Sequence, residues 1–196
     1  TLKSAESKTH RLVLEGCFGE VKRIVSTKKL MDEGTVADFE VKAIVLNHSN
    51  EQKAAFKKAM GQVKEAVRKW PAEREFIVNH VGRNNFIKNL VWSLKDQNNL
   101  ILFDLVEKHG KVLAPLLEKE GRELHFIYGN TKGEERERIR HLVENDPLKQ
   151  HNILASYGVF STGVNIKRLD NVIFASSSKS EIKVLQSIGR SLRKAE

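Results

Sequence analysis

Hydrophobic residues in the second half of the chain form short runs that alternate with segments of helical periodicity. Strands are predicted at FIVN (76–79), LILF (100–103), LHFIY (124–128), 152–156 and 171–175. Between and after them, apolar positions at helical spacing predict helices over 85–95, 109–120, 133–144 and 180–193. Strands separated by helices favour a parallel sheet with helices on both faces. The predicted fold class is therefore α/β.

The first 75 residues show a less regular pattern. VKRIVS, from Val21, alternates like a strand, and Ser26 and Gly34 bracket a short predicted helix. Residues 39–46 (FEVKAIVL) predict a further strand, and Glu51–Trp70 predicts a helix that ends at Pro71. This helix could face DNA or pack against another domain. We interpret residues 1–75 as a lead-in or linker segment and residues 76–196 as an α/β domain.

The charge of the chain suggests a polyanionic partner. Its 196 residues carry a formal net charge of +9, with 40% hydrophobic and 30% charged residues, a composition typical of a soluble globular protein. Residues 152–196 hold seven Lys or Arg against three Asp or Glu, and residues 51–75 hold seven against four. Nucleic acid is the first candidate partner, although a basic surplus can also serve solubility alone.

Several classes of protein lack support in the sequence. No apolar run approaches the length of a membrane span, and the N-terminus has no signal-peptide core. The single cysteine, Cys17, excludes an intrachain disulfide, fits a reducing cytosol and is predicted to be a small core residue. The seven histidines show no H-x-x-x-H or H-E-x-x-H spacing, so no metal ligand is assigned. Because the chain begins Thr-Leu without Met, we expect it to be a piece of a longer protein.

Candidate ligand-binding residues cluster after the predicted strands. In parallel sheets ligands meet the loops at the carboxyl ends of strands, here 104–110, 129–132, 156–165 and 175–179. Gly129 permits close backbone approach, Lys111 lies near a predicted helix start, and the hydroxyl-rich loop from Ser156 suits phosphate or ribose contacts. Each loop taken alone could also be an ordinary connection.

The helix near the carboxyl end carries the most informative residues. Arg190 and Arg193 lie three residues apart and so face one way, and each guanidinium offers a rigid fork of donors suited to phosphate. Gly189 costs a helix about 1 kcal/mol relative to Ala, which indicates close approach to a ligand or another backbone. The pattern favours a phosphate-sensing helix, with a solvated basic helix end as the alternative.

Together these elements resemble the second, RecA-like motor domain of superfamily 2 helicases, most closely the UvsW-like phage branched-DNA helicases. ASYGVFSTGVNI looks like motif V of that superfamily, QSIGRSLR like motif VI, and LILF like motif IV. YGNTKGEER has the usual Gly-to-Arg spacing, and the run from Gly16 to Gly34 resembles the segment that joins the two motor domains. The resemblance covers about residues 10–193 and implies that residues 1–75 are the end of the first motor domain and the interdomain linker.

The resemblance implies roles for individual residues. Arg190 and Arg193 would act as arginine fingers on ATP held with Mg²⁺ mainly by the first motor domain, and Gln186 would line the same cleft. Gly163 and Asn165 would lie beside the nucleotide. The phosphates of one DNA strand would be held by Ser156, Gly129, Thr131, Lys111 and Thr162.

The sequence lacks the nucleotide-binding motifs of a complete motor. No G-x-x-x-x-G-K-[ST] occurs, and Asp32-Glu33 is followed by Gly34-Thr35. We therefore expect the C-terminal half of an ATP-dependent DNA helicase or translocase acting on branched or duplex DNA, in repair or recombination, phage-encoded and located in the host cytosol. Its partner would be the N-terminal motor domain of the same protein. Alternatives are a repair or restriction translocase, an RNA helicase, a non-catalytic nucleic-acid-binding or annealing module, and a stand-alone phosphate-binding domain.

Overall fold

A parallel sheet of four strands, in the order β2-β3-β1-β4, forms the centre of the described structure. The computed structural model describes residues 5–20, 25–118, 122–146, 150–162, 166 and 168–191. The strands are β1 (Asn99–Phe103), β2 (Glu123–Ile127), β3 (His151–Ser156) and β4 (Asn171–Phe174). The helices are α1 (Ala5–Phe18), α2 (Thr27–Asp32), α3 (Asn50–Gly61), α4 (Ala66–Val78), α5 (Val81–Ser93), α6 (Lys111–Leu117), α7 (Gly133–Asn145), α8 (Tyr157–Thr162) and α9 (Glu181–Ser191). A π-helical turn, Val106–Gly110, precedes α6.

The two inner strands are buried on both faces. Every residue of β1 and β3 is buried, because each strand has a strand on either side and helices above and below. Side chains alternate between two apolar clusters along these strands. One cluster joins the sheet to Ile139 and Val143 of α7 and to Phe160 of α8. The other joins it to Ile87 of α5 and Leu113 of α6. The predicted α/β class, with helices on both faces of a parallel sheet, is confirmed.

Residues 76–79 are not a strand, although their apolar run predicted one. They form the end of α4 and the residue after it; Val78 is buried, and the Phe76 ring lies 5.0 Å from the Phe56 ring of α3. A run of only three apolar residues does not distinguish a strand from a buried helical turn. The prediction that a helix ends at Pro71 was also wrong, because this residue lies inside α4.

The helix predicted over Glu51–Trp70 is two helices. Helix α3 ends at Gly61, where Gln62 donates its backbone N–H to the carbonyls of Ala59 and Met60. Because glycine is a poor helix former, the first helix ends there, and the second begins at Ala66. Of the apolar positions that suggested one helix, Phe56 packs on Phe76 of α4, whereas Val67 is exposed.

The segment 39–46 is not a strand in the structure. Its residues have no regular secondary structure, and side chains such as Val41 and Val45 are exposed. A strand needs a neighbour for its backbone groups, and the four strands of the described sheet pair only with one another. Cys17 is exposed, so its predicted core position was wrong.

Other local predictions near the N-terminus had mixed outcomes. Ser26 caps α2 by accepting a hydrogen bond from the Lys29 backbone N–H at 3.2 Å, as its position before the helix predicted. The strand predicted from Val21 falls largely on residues 21–24, which lie outside the described residues. None of the helices in the described ranges combines the length and the apolar character needed to cross a bilayer.

Candidate functional site at the carboxyl edge of the sheet

Ser176 joins the loops that follow three of the strands. It lies just beyond β4, and its hydroxyl oxygen accepts a hydrogen bond from the backbone N–H of Asp104, after β1, at 3.2 Å. Its Oγ also lies 2.9 Å from Nδ1 of His109, and its carbonyl accepts the hydroxyl of Tyr157, after β3, at 2.6 Å. Ser176 is buried. The carboxyl edge of the sheet is therefore fixed by one hydrogen-bonded cluster, here called the Ser176 cluster.

Two arginines from the preceding helices reach this edge. Arg83 of α5 donates from Nη2 to the Ala175 carbonyl at 2.6 Å, and Arg74 of α4 pairs with the Asp104 carboxylate. Burial lowers the pKa of Arg83, against a smaller opposing effect of Tyr157. Among the described residues, Arg83 Nη1 and Arg74 Nε are buried without a hydrogen-bond partner. The edge therefore holds cationic groups with unused donors.

His109 is a neutral, fully buried imidazole in the Ser176 cluster. Burial first, and the positive charge of Arg83 second, lower its pKa to about 4. Because the Ser176 hydroxyl oxygen already accepts from Asp104, its own proton is available to Nδ1 of His109. Tyr157 is buried in the same cluster, and burial, followed by the charge of Asp104, raises its pKa. Both groups therefore stay uncharged at neutral pH.

Side chains of helix α4, which precedes the sheet in the sequence, contact residues at the carboxyl edge of the sheet. The Lys179 ammonium lies 4.2 Å from the centroid of the Trp70 ring, and Lys108 Nζ lies 2.6 Å from Glu75 Oε1. With the Arg74–Asp104 pair, these contacts offset the backbone hydrogen bond that Pro71 cannot donate. Helix α4 runs through residues 75 and 76, the boundary between the two predicted domains.

The predicted DNA-binding residues have different surroundings. Gly129 is exposed, and a Cβ built there would meet no atom within 4 Å, so its backbone is open to approach. The Thr131 hydroxyl accepts the Tyr128 backbone N–H at 3.0 Å and so shapes the turn after β2. Lys111 Nζ lies 2.8 Å from Glu107 Oε2 on the surface, and Ser156 is buried at the end of β3.

Helix α9 presents the predicted nucleotide-sensing face. The Ser180 hydroxyl caps its start by accepting the Lys183 backbone N–H at 3.3 Å, and buried Ser187 donates its hydroxyl to the Lys183 carbonyl at 2.8 Å. The helix packs against α8 and β4, and Gln186 is exposed. Gln186 and Arg190 are four residues apart, a spacing that brings two positions to the same side of a helix.

Other predicted site residues are only partly described or not described. Gly163, Asn165 and Arg193 lie outside the described residues, as do the side chains of Thr162 and Arg190. A Cβ at Gly189 would meet no atom within 4 Å, so its predicted close approach has no partner within the described chain.

Sequence reasoning missed the Ser176 cluster. Asp104 and Ser176 are separated by 72 positions, and His109 and Ser176 by 67, so no local spacing relates them. The available signal was the Ser-rich run 176–180 at the carboxyl end of a predicted strand, which was recognised as a loop but not as the junction of three loops.

The parallel sheet with helices on both faces is a RecA-like fold of the α/β class. Residues 82–195 match the family described as the helicase conserved C-terminal domain, and the chain belongs to this family. The chain is 35% identical over 191 residues to the ATP-dependent DNA helicase UvsW of Enterobacteria phage T4. The alignment covers 96% of this chain and 36% of UvsW, so the chain spans little more than a third of that relative.

Solved structures agree with this assignment. The crystal structure of T4 UvsW matches with a TM-score of 0.55, over 70% of this chain and 26% of that one. The DNA-bound ATP-dependent Type ISP restriction-modification enzyme LlaBIII matches with a TM-score of 0.60, 20% identity, and coverage of 93% and 12%. The Sulfolobus solfataricus SWI2/SNF2 ATPase core domain matches with a TM-score of 0.58, 16% identity, and coverage of 98% and 45%. The last two likenesses concern the fold alone.

Proposed function

We propose that this chain is the second motor half of an ATP-dependent DNA helicase or translocase that remodels branched or duplex DNA. Residues 76–196 form the motor domain in this proposal, and residues 1–75 connect it to a first motor domain. The observation that carries the proposal is α9, which packs against α8 and β4 with Ser187 buried and exposes Gln186, four residues before Arg190. The similarity to UvsW supports the same class of activity.

In this proposal, the arginine pair senses nucleotide across an interdomain cleft. Arg190 and Arg193 stabilise the negative charge of a γ-phosphate, and Gln186 transmits its presence to α9. ATP with Mg²⁺, bound mainly by the first motor domain, supplies the phosphoryl transfer that drives movement. Gly163 and Asn165 approach the nucleotide from this side. The predicted set fits such a shared role, since it consists of two cations, two side-chain amides and a glycine, and the sequence has no Walker A loop.

In this proposal the DNA backbone is held by residues at and beyond the carboxyl ends of β1, β2 and β3. The backbone of exposed Gly129 approaches a phosphate most directly, because its Cβ position is open. Thr131, Lys111, Ser156 and Thr162 complete the contact, with Lys111 exchanging its Glu107 partner for a phosphate. Such contacts follow the strand without reading its sequence, so their strength depends on salt.

The first motor domain is the partner of the N-terminal segment. Val41, Ile44 and Val45 are exposed in a stretch whose alternating pattern is typical of a strand. Leu12 and Phe18 of α1 are exposed as well. Apolar side chains exposed together mark an interaction surface. We infer that they pack on the first motor domain.

The deciding experiment measures DNA-stimulated ATP hydrolysis in the full-length protein that carries this chain. Arg190→Ala and Arg193→Ala should each lower turnover at least 100-fold, in line with the contribution of arginine fingers, while DNA binding is kept. Arg138→Ala is the matched control, because Arg138 pairs on the surface with Glu135 of α7 at 2.7 Å. It should retain turnover.

Other results would identify a different function. Unchanged turnover in both arginine variants would remove the finger assignment, and DNA binding without any ATP hydrolysis would favour a binding or annealing module. Stimulation by RNA rather than DNA would identify an RNA helicase. The 196-residue chain alone should neither hydrolyse ATP nor unwind DNA, so robust turnover by it would contradict the shared-cleft proposal.

A further inference from the structure

Three side chains able to bind a metal ion meet at the amino end of the sheet, opposite the edge described above. Glu123 and His125 lie two residues apart on β2 and therefore point to the same face. His151, the first residue of β3, is the direct register partner of Glu123. The cluster lies on the face that α7 covers, where Ile127 and Ile153 continue the same rows of side chains.

The distances suit a shared ion. His125 Nε2 lies 3.1 Å from His151 Nδ1, and Glu123 Oε2 lies 3.8 Å from the same Nδ1. All three ligand atoms lie within 4.8 Å of one another. Two nitrogens bound tetrahedrally to zinc, each at about 2.0–2.1 Å, are roughly 3.3 Å apart. The two imidazoles are thus close to the required separation.

The burial of the ligands also suits metal binding. His151 is 0% exposed and His125 6% exposed, so the packed strands hold both rings in place. Burial favours the neutral imidazole, which is the form that binds metal. The Glu123 side chain is 43% exposed, so its carboxylate can move toward an ion held by the two imidazoles. The same exposure leaves a path by which the ion can enter from solvent. The charges of Arg138 and Glu135 both act on His125, and these two side chains pair with each other at 2.7 Å.

We propose that Glu123, His125 and His151 bind one zinc ion, with a fourth position open to water. Two imidazoles and one carboxylate form a ligand set typical of zinc. The ion would join edge strand β2 to inner strand β3, in place of the hydrogen bond between the two rings. Because the site lies at the opposite end of the strands from the Ser176 cluster, its role is to stabilise the sheet and not to take part in nucleotide chemistry.

The test is calorimetric titration of the chain, without a histidine tag, with Zn²⁺ at neutral pH. One ion should bind per chain, and Glu123→Gln, His125→Gln and His151→Gln should each weaken binding at least tenfold. His141→Gln is the matched control, because His141 Nε2 lies 4.0 Å from Glu137 Oε2 on the surface of α7. This control should bind zinc like the unchanged chain.

A second measurement does not depend on the buried variants folding. Co²⁺ added to the unchanged chain should give the intense visible absorption of a tetrahedral site. Glu123→Gln should weaken this absorption, and because the Glu123 side chain is half-exposed, this variant should still fold. Zinc at a hundredfold excess over its dissociation constant should raise the folding equilibrium constant about 100-fold. Absence of zinc binding, equal affinity in the ligand variants and the control, or a purely octahedral cobalt spectrum would each overturn the proposal.

Discussion

Acidification should destabilise this domain through His109. The imidazole is fully buried beside Ser176 and near Arg83, and its pKa in the folded state is about 4, against an ordinary value of 6.5. Between these two pH values, the unfolded chain binds a proton that the folded chain does not. The contribution of the neutral His109 imidazole to the free energy of unfolding is therefore complete above pH 6.5. It decreases as the pH falls and is lost below about pH 4.

The magnitude follows from the difference between the two pKa values. At 1.36 kcal/mol per pKa unit, the depression corresponds to about 3 kcal/mol of unfolding free energy. The assay is urea unfolding followed by circular dichroism at a series of pH values from 7 to 4. His109→Gln removes the titrating group. Between pH 7 and pH 4, the unchanged chain should therefore lose about 3 kcal/mol more of its free energy of unfolding than this variant does.

The comparison separates His109 from the carboxylates that titrate over the same range, because they are present in both proteins. His141→Gln controls for the loss of a histidine, since the His141 side chain is 62% exposed on α7. Its stability curve should run parallel to that of the unchanged chain. If the His109→Gln curve is also parallel, the argument from burial and the Arg83 charge is refuted.

Further substitutions test individual contacts by urea unfolding at neutral pH. Gly110→Ala should cost about 1–3 kcal/mol, because its Cβ would lie 2.5 Å from the ring of fully buried Phe103; unchanged stability would mean that the ring yields freely. Tyr157→Phe should cost about 1–2 kcal/mol by leaving the Ser176 carbonyl without its 2.6 Å hydrogen bond, and a neutral result would show that this bond contributes little. Gly189→Ala should stabilise α9 by about 0.5–1 kcal/mol, since open space surrounds it, and destabilisation would reveal a contact not seen here.

Local hydrophobic patterns predicted the strands and helices at the centre of the fold well. They failed where a short apolar run fits a strand and a helix equally. The buried runs of β1 and β3 and the helical spacing of α7 were recognised correctly because several residues repeat one period. The strand predicted over 76–79 is wrong because its three apolar residues fit either a strand or a helix. The packing of Phe76 on Phe56 favours the helix. The segment 39–46 has the pattern of a strand, yet none of the described strands pairs with it.

The sequence by itself determined the α/β class, the alternation of strands and helices, and the resemblance that led to the helicase family. These depend on periodicity and on residues close together in the chain. Only the tertiary structure decided the strand order, the meeting of Asp104, His109 and Ser176 at one edge, and that of Glu123 with His125 and His151 at the other. Parallel pairing brings together residues dozens of positions apart, and the register of each pair of strands selects which side chains face one another.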